Sequence, residues 1–134
     1  MYGSLDIAVS GMVTSRVRLE TATANLINKD TIEAPDGSYA PFRRRIALIA
    51  AGDPANGNEM GVHIRKIVES DAPFRKKYDP GHPFADKDGY VNYPDIDPGM
   101  EQTNAMEAIR SYEANVMAAE ATKSMMGLAL QILA

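Results

Sequence analysis

Apolar positions recur at spacings of three and four at both ends of this chain and lose that rhythm in the middle. Near the amino terminus Leu5, Ala8, Met12, Ser15, Leu19, Ala22 and Leu26 form a seam of the a/d kind, with Val9, Val13 and Ile27 widening it. Near the carboxy terminus Ala105, Ile109, Tyr112, Val116, Ala119, Lys123, Met126, Leu130 and Leu133 line up in the same way, and Lys123 is the polar member. The first seam predicts a helix over about residues 4–28, with Ser4 as its cap and Asp6 in its first turn. The second predicts a helix over about residues 100–133, started by Asp97 and Pro98 or by Asn104 with Glu107, and weakened at Gly127.

The eight prolines all fall between Pro35 and Pro98. Proline lacks the amide donor and clashes with the preceding helical turn, so this distribution sets two proline-free arms around an irregular or β-rich centre. Within that centre residues 43–50 (RRRIALIA) and 62–68 (VHIRKIV) carry β-branched runs bounded by turn residues and read as strands, with 52–61 as their loop and 89–96 as a further strand. The expected fold is α+β, in three parts. Residues 1–30 and 99–134 are helical arms pairing as an antiparallel coiled coil, and residues 31–98 are a proline-rich β insert.

Charge follows the same partition. The insert holds eleven acidic and nine basic residues, against three and three in the first 30 residues and four and two after residue 98. The solvated part is therefore the insert, and the arms are what becomes buried. A formal net charge of -4 argues against a polyanionic partner, so neither nucleic acid nor an anionic membrane surface is expected to bind. The apolar runs are too short to span a bilayer, and residues 1–20 lack the pattern of a cleaved secretory signal. Cysteine is absent, which removes disulfides and thiolate chemistry together.

Candidate chemistry is sparse. His63 and His82 lie far apart, in a strand and a proline turn, without metal-ligand spacing. Asp86, Asp88 and Gly89 echo part of a calcium loop, but Phe84 would stand at its first position and Asp95 at its last, so an aspartate-stabilised turn is expected. Arg43, Arg44 and Arg45 read as a solvated strand edge, alternation sending Arg44 to the face opposite its neighbours. No enzyme, cofactor or metal is expected. The last arm, with methionine and alanine spread beyond one seam, instead needs helical partners on more than one side. Two classes fit that need, a subunit of an assembly and a coiled-coil adaptor or export chaperone.

Three stretches decide between them. SLDIAVSGMVTSRVRLETATANLINKDT, starting at Ser4, resembles the amino-terminal signature of the bacterial flagellar rod and hook proteins, with Asn25, Leu26, Asn28 and Thr31 at the helix exit and Ile27 where a small residue is usual. Residues 78–97 and 105–126 are similar to the insert-to-helix passage and terminal helix of the proximal rod proteins, including Arg110, Ser111, Tyr112, Glu113, Ala114, Asn115 and Val116. The resemblance implies a structural subunit of the basal-body rod that polymerises helically with itself and other rod proteins and transmits torque across the periplasm. It also implies delivery by the flagellar type III export apparatus without signal cleavage. On that reading Leu5, Met12, Leu19, Ile109, Tyr112, Val116, Met126, Leu130 and Leu133 carry helical packing and subunit contacts. Asn25 and Asn28 would end the first helix by tolerating left-handed backbone.

Overall fold

A computed structural model describes residues 2–134. Helix α1 spans Tyr2–Ile27 and helix α2 spans Pro98–Leu133, with four strands between them: β1 Arg45–Asp53, β2 Asn58–Glu69, β3 Arg75–Tyr78 and β4 Tyr90–Tyr93. The architecture is α+β, two helices with small sheets in the connecting segment.

Helix α2 starts where aspartate and proline predict it. The Asp97 carboxylate accepts the Gly99 amide at 2.9 Å, and Pro98 occupies the first turn, where its missing donor costs nothing. Asn104 therefore lies inside the helix instead of opening it. At α1 the expectation shifts the other way: the helix already runs at Tyr2, so Ser4 is not its cap and Asp6 falls outside its first turn.

The helices run side by side in opposite senses. Asn25 meets Glu101, Arg18 lies 3.6 Å from Glu107, and Gly11 faces Asn115. What lies between them is small and polar. Ala8, Ser15 and Ala22 are buried from α1, and Ala108, Ala119 and Thr122 from α2. Hydroxyls fit such a seam because they bond back to their own helix, as Thr21 does to the Val17 carbonyl at 2.8 Å and Thr122 to that of Ala118 at 2.9 Å. Thr14 Oγ1 is the exception, buried without a partner. Val9, Val13 and Ile27 do not widen the buried seam; they are 40%, 57% and 74% exposed.

Strands β1 and β2 pair antiparallel over a tight turn at residues 54–57, shorter than the 52–61 loop the sequence predicts. Asp53 closes it, its side chain accepting Asn56 Nδ2 at 2.8 Å and its carbonyl the Asn56 amide at 3.2 Å. This hairpin lies along α1. Ser10 Oγ accepts the Val62 amide at 3.2 Å, and Gly61 permits the approach, since a Cβ there would stand 2.9 Å from Ser10 Oγ. At the hairpin tip Asn58 Nδ2 donates to the Gly3 carbonyl at 3.4 Å.

The expected strand at 89–96 is present as β4, but it joins a second sheet with β3, not the first hairpin. Arg75 and Lys77, two apart and therefore on one face, both lie over the Tyr93 ring. In the connection between β3 and β4, Asp86 makes the aspartate turn, its carboxylate accepting the Asp88 and Tyr90 amides at 2.9 Å each. Tyr39 links the loop after α1 to this unit by stacking on Phe84 and accepting the Asn92 amide at 2.8 Å.

Candidate functional site

A polar cluster sits where α1, β1 and α2 meet. Asn25, 1% exposed, is placed by the buried face of α1 two residues before that helix ends. Its Oδ1 accepts the Arg45 amide at 2.9 Å and its Nδ2 donates to the Arg45 carbonyl at 2.9 Å, so a side-chain amide pairs with the strand as a neighbouring backbone would. Nδ2 also lies 3.3 Å from Glu101 Oε2. The other carboxylate oxygen of Glu101 accepts Arg44 Nε. Glu101 is buried and Arg44 partly so, its side chain 26% exposed. A buried carboxylate is tolerable only when paired and hydrogen-bonded, and here one cation and one amide satisfy it.

The arginine run is thus a solvated edge only at Arg45, which is exposed, while Arg43 and Arg44 are half-buried. Arg44 reaches α2, Arg43 donates to the Ser70 and Ala72 carbonyls and lies over Phe74, and Arg45 lies over Phe42. Beside the cluster is a cavity of about 160 Å³. Sequence reasoning missed Arg44 and Glu101 as partners. The available signal was Glu101 itself, a carboxylate that shares the three-four spacing of Ala105 and Ala108.

Asn28 finishes α1. Its Nδ2 donates to the Ala24 carbonyl at 2.9 Å, and its Oδ1 accepts Thr31 Oγ1 at 3.1 Å while its carbonyl accepts the Thr31 amide at 3.1 Å. Left-handed backbone plays no part, because among the described residues only glycines have positive φ. The Asn28 side chain adds a second donor to the Ala24 carbonyl, which already accepts the Asn28 amide at 3.1 Å, and ties the helix end to Thr31, while the Leu26 carbonyl accepts the Lys29 amide at 3.5 Å. Leu26 is half-buried beside it and Ile27 points outward.

The other sequence-selected residues divide by exposure. Leu5, Met12, Leu19, Val116 and Met126 are half-buried, whereas Ile109, Tyr112, Leu130 and Leu133 are exposed in the single chain. In the stretch 110–116, Asn115 donates to the Ser111 carbonyl at 2.8 Å and presses on Gly11, where an added Cβ would stand 2.6 Å away. Arg110, Tyr112, Glu113 and Ala114 face outward.

No family model matches the chain. Whole-length relatives do. The flagellar basal-body rod protein FlgC of Bacillus subtilis (strain 168) is 37% identical over 98% of this chain and 97% of its own length. Its namesake in Aquifex aeolicus (strain VF5) is 38% identical over 92% and 90%. The chain belongs to the FlgC family. The FlgC of Salmonella typhimurium, 40% identical over 90% of this chain and 89% of its own length, carries the same name. These relatives are named as rod proteins, not adaptors, and among the described residues no helix is long and apolar enough to cross a membrane.

Proposed function

We propose that this protein is a structural subunit of the flagellar basal-body rod, polymerising helically with its own copies and with other rod proteins into a shaft that transmits torque across the periplasm. The observation that carries the reading is whole-length similarity to FlgC proteins of several bacteria, each named as a basal-body rod protein. The form of the molecule supports it. Two long helices meet through small side chains, and the large apolar groups of α2 face outward, among them Met117, Leu128, Leu130, Ile132 and Leu133. Helices carrying such faces need partners beyond one neighbour. A unit repeated heterologously with a rotation that does not close gives a tube.

In this reading α1 and α2 form an antiparallel coiled coil in the axial layer, and residues 31–98 form the insert carried on it. Asn25, Leu26, Asn28 and Thr31 make the joint between the two. Leu5, Met12, Leu19, Ile109, Tyr112, Val116, Met126, Leu130 and Leu133 divide between packing within the subunit and contacts across subunits. The role is mechanical and not catalytic, and the type III export apparatus delivers the chain without cleaving a signal.

The test is electron cryomicroscopy of basal bodies from a strain lacking the gene, beside the complemented strain. The expected result is a rod that is missing or stops near the inner membrane and returns on complementation, with density for this protein in the restored rod. Complete rods and filaments in the deletion strain would overturn the proposal.

A further inference from the structure

We infer that the carboxy-terminal end of α2 in one copy seats in the groove between α1 and α2 of a second copy. The inference rests on the rod reading and names the contact between copies that it requires.

The two helices differ in length, 26 residues against 36. Their facing pairs, Asn25 with Glu101 and Gly11 with Asn115, place Tyr2 opposite roughly residue 124 by equal rise along both helices. The last nine or so residues of α2 therefore lie beyond Tyr2, the first described residue of α1. Between Lys123 and the end of the chain there is no charged residue. Leu128, Leu130, Ile132 and Leu133 are between 59% and 84% exposed, and at 3.6 residues per turn they spread over an arc of roughly 200°, with Gln131 on the remaining side. An exposed apolar face that wide is one that becomes buried against a partner. Met126 and Ala129, half-buried, continue the line of Ala119 and Thr122 that packs on α1. The overhang thus prolongs a helix-packing face beyond the described part of α1, so that the occupant it fits is another helix of the same kind.

The receiving surface is on the same molecule. A groove of about 380 Å³ opens between the helices, with Leu19, Ala108, Ile109 and Tyr112 in its apolar lining and Arg16 and Glu113 at its rim. No residue of the β1–β2 hairpin lines it. Groove and overhang lie some twenty residues apart along α2, roughly 30 Å, so a copy cannot fill its own groove with its own end. A donor end and an acceptor groove that do not overlap make a heterologous contact, which can repeat without limit.

The chain has no cysteine, so engineered pairs report the contact directly. Two tagged copies, one Ile109→Cys and one Leu130→Cys, are expressed together in the deletion strain, and purified basal bodies are treated with a short bis-maleimide. The expected result is a heterodimer of the two copies in several-fold excess over the dimers either variant forms alone. Incorporated copies that form no heterodimer, that link mainly through 130 to 130, or that link only to another rod protein would overturn the inference. If either substitution blocks incorporation, Glu113→Cys with Gln131→Cys reads the same contact from exposed polar positions, and the same outcomes decide. The rod reading fails separately, when the wild-type chain itself is absent from basal bodies.

Discussion

Asn25 and Arg45, twenty residues apart in the chain, exchange two hydrogen bonds of 2.9 Å, the side-chain amide of one matching the backbone of the other. One side chain therefore fixes where the strand begins relative to the helix. Asn25→Ala leaves the Arg45 backbone groups and part of Glu101 without partners in a buried place, and is expected to cost about 2–3 kcal/mol. Asn25→Asp keeps the acceptor but sets a carboxylate against Glu101, and should cost at least as much at neutral pH. Urea unfolding of the purified chain measures both; a loss under about 0.5 kcal/mol for either would contradict the pairing.

The ion pair below it is asymmetric. Arg44→Met strands a buried carboxylate and is expected to destabilise by about 3 kcal/mol, while Glu101→Gln leaves an arginine able to turn toward water and should cost closer to 1 kcal/mol. The double variant should be more stable than Arg44→Met alone. A double-mutant cycle measures this, and equal single losses with no coupling would show that the pair contributes nothing.

Where Gly11 faces Asn115, Gly11→Ala gains about 1 kcal/mol of helix propensity but drives a Cβ into Asn115, a conflict of about 1–3 kcal/mol. Alone it should lower the thermal midpoint. Combined with Asn115→Ala it should raise the midpoint above that of the Asn115→Ala single variant.

Thr14 carries a buried hydroxyl without a partner. Thr14→Val replaces it with a methyl of the same shape and is expected to stabilise by about 1 kcal/mol, read as a higher urea midpoint with unchanged slope.

Asn28→Val removes the side chain that joins the Ala24 carbonyl to Thr31, and should cost about 1 kcal/mol in the isolated chain. Because that side chain shapes the exit from α1, assembly and motility are expected to fall further than protein level. Swimming assays beside immunoblots decide; normal motility would refute the joint role.

The two helices and the first hairpin were legible because their signals are local. All of Leu5, Ala8, Met12, Ser15, Leu19, Ala22 and Leu26 are buried or half-buried, as a three-four rhythm predicts. On α2 the stripe includes Ala119, which is buried, but also Ile109, Tyr112, Leu130 and Leu133, which are exposed in the single chain, and it leaves out the buried Glu101, Ala108 and Thr122. Hydropathy ranks large aliphatic groups first, whereas a close helix seam selects small ones. Strand β3 was illegible for a different reason. Its residues, RKKY, are all exposed, and only pairing with Tyr90–Tyr93 makes them a strand. The Arg44 and Glu101 pair is 57 residues apart, a separation that no periodicity within either segment reports.

The hairpin touches α1 at three stations: Asn25 at its base, Ser10 midway and Gly3 at its tip. It is therefore a brace. A lone helix bends easily across its axis, but one tied along its length to a second element deforms only if the ties stretch together. The braced span includes nearly all of α1 and none of the last turns of α2. Under an off-axis load the body of the subunit stays straight, and flexure collects in that unbraced end, which gives stiff units with compliant couplings between them.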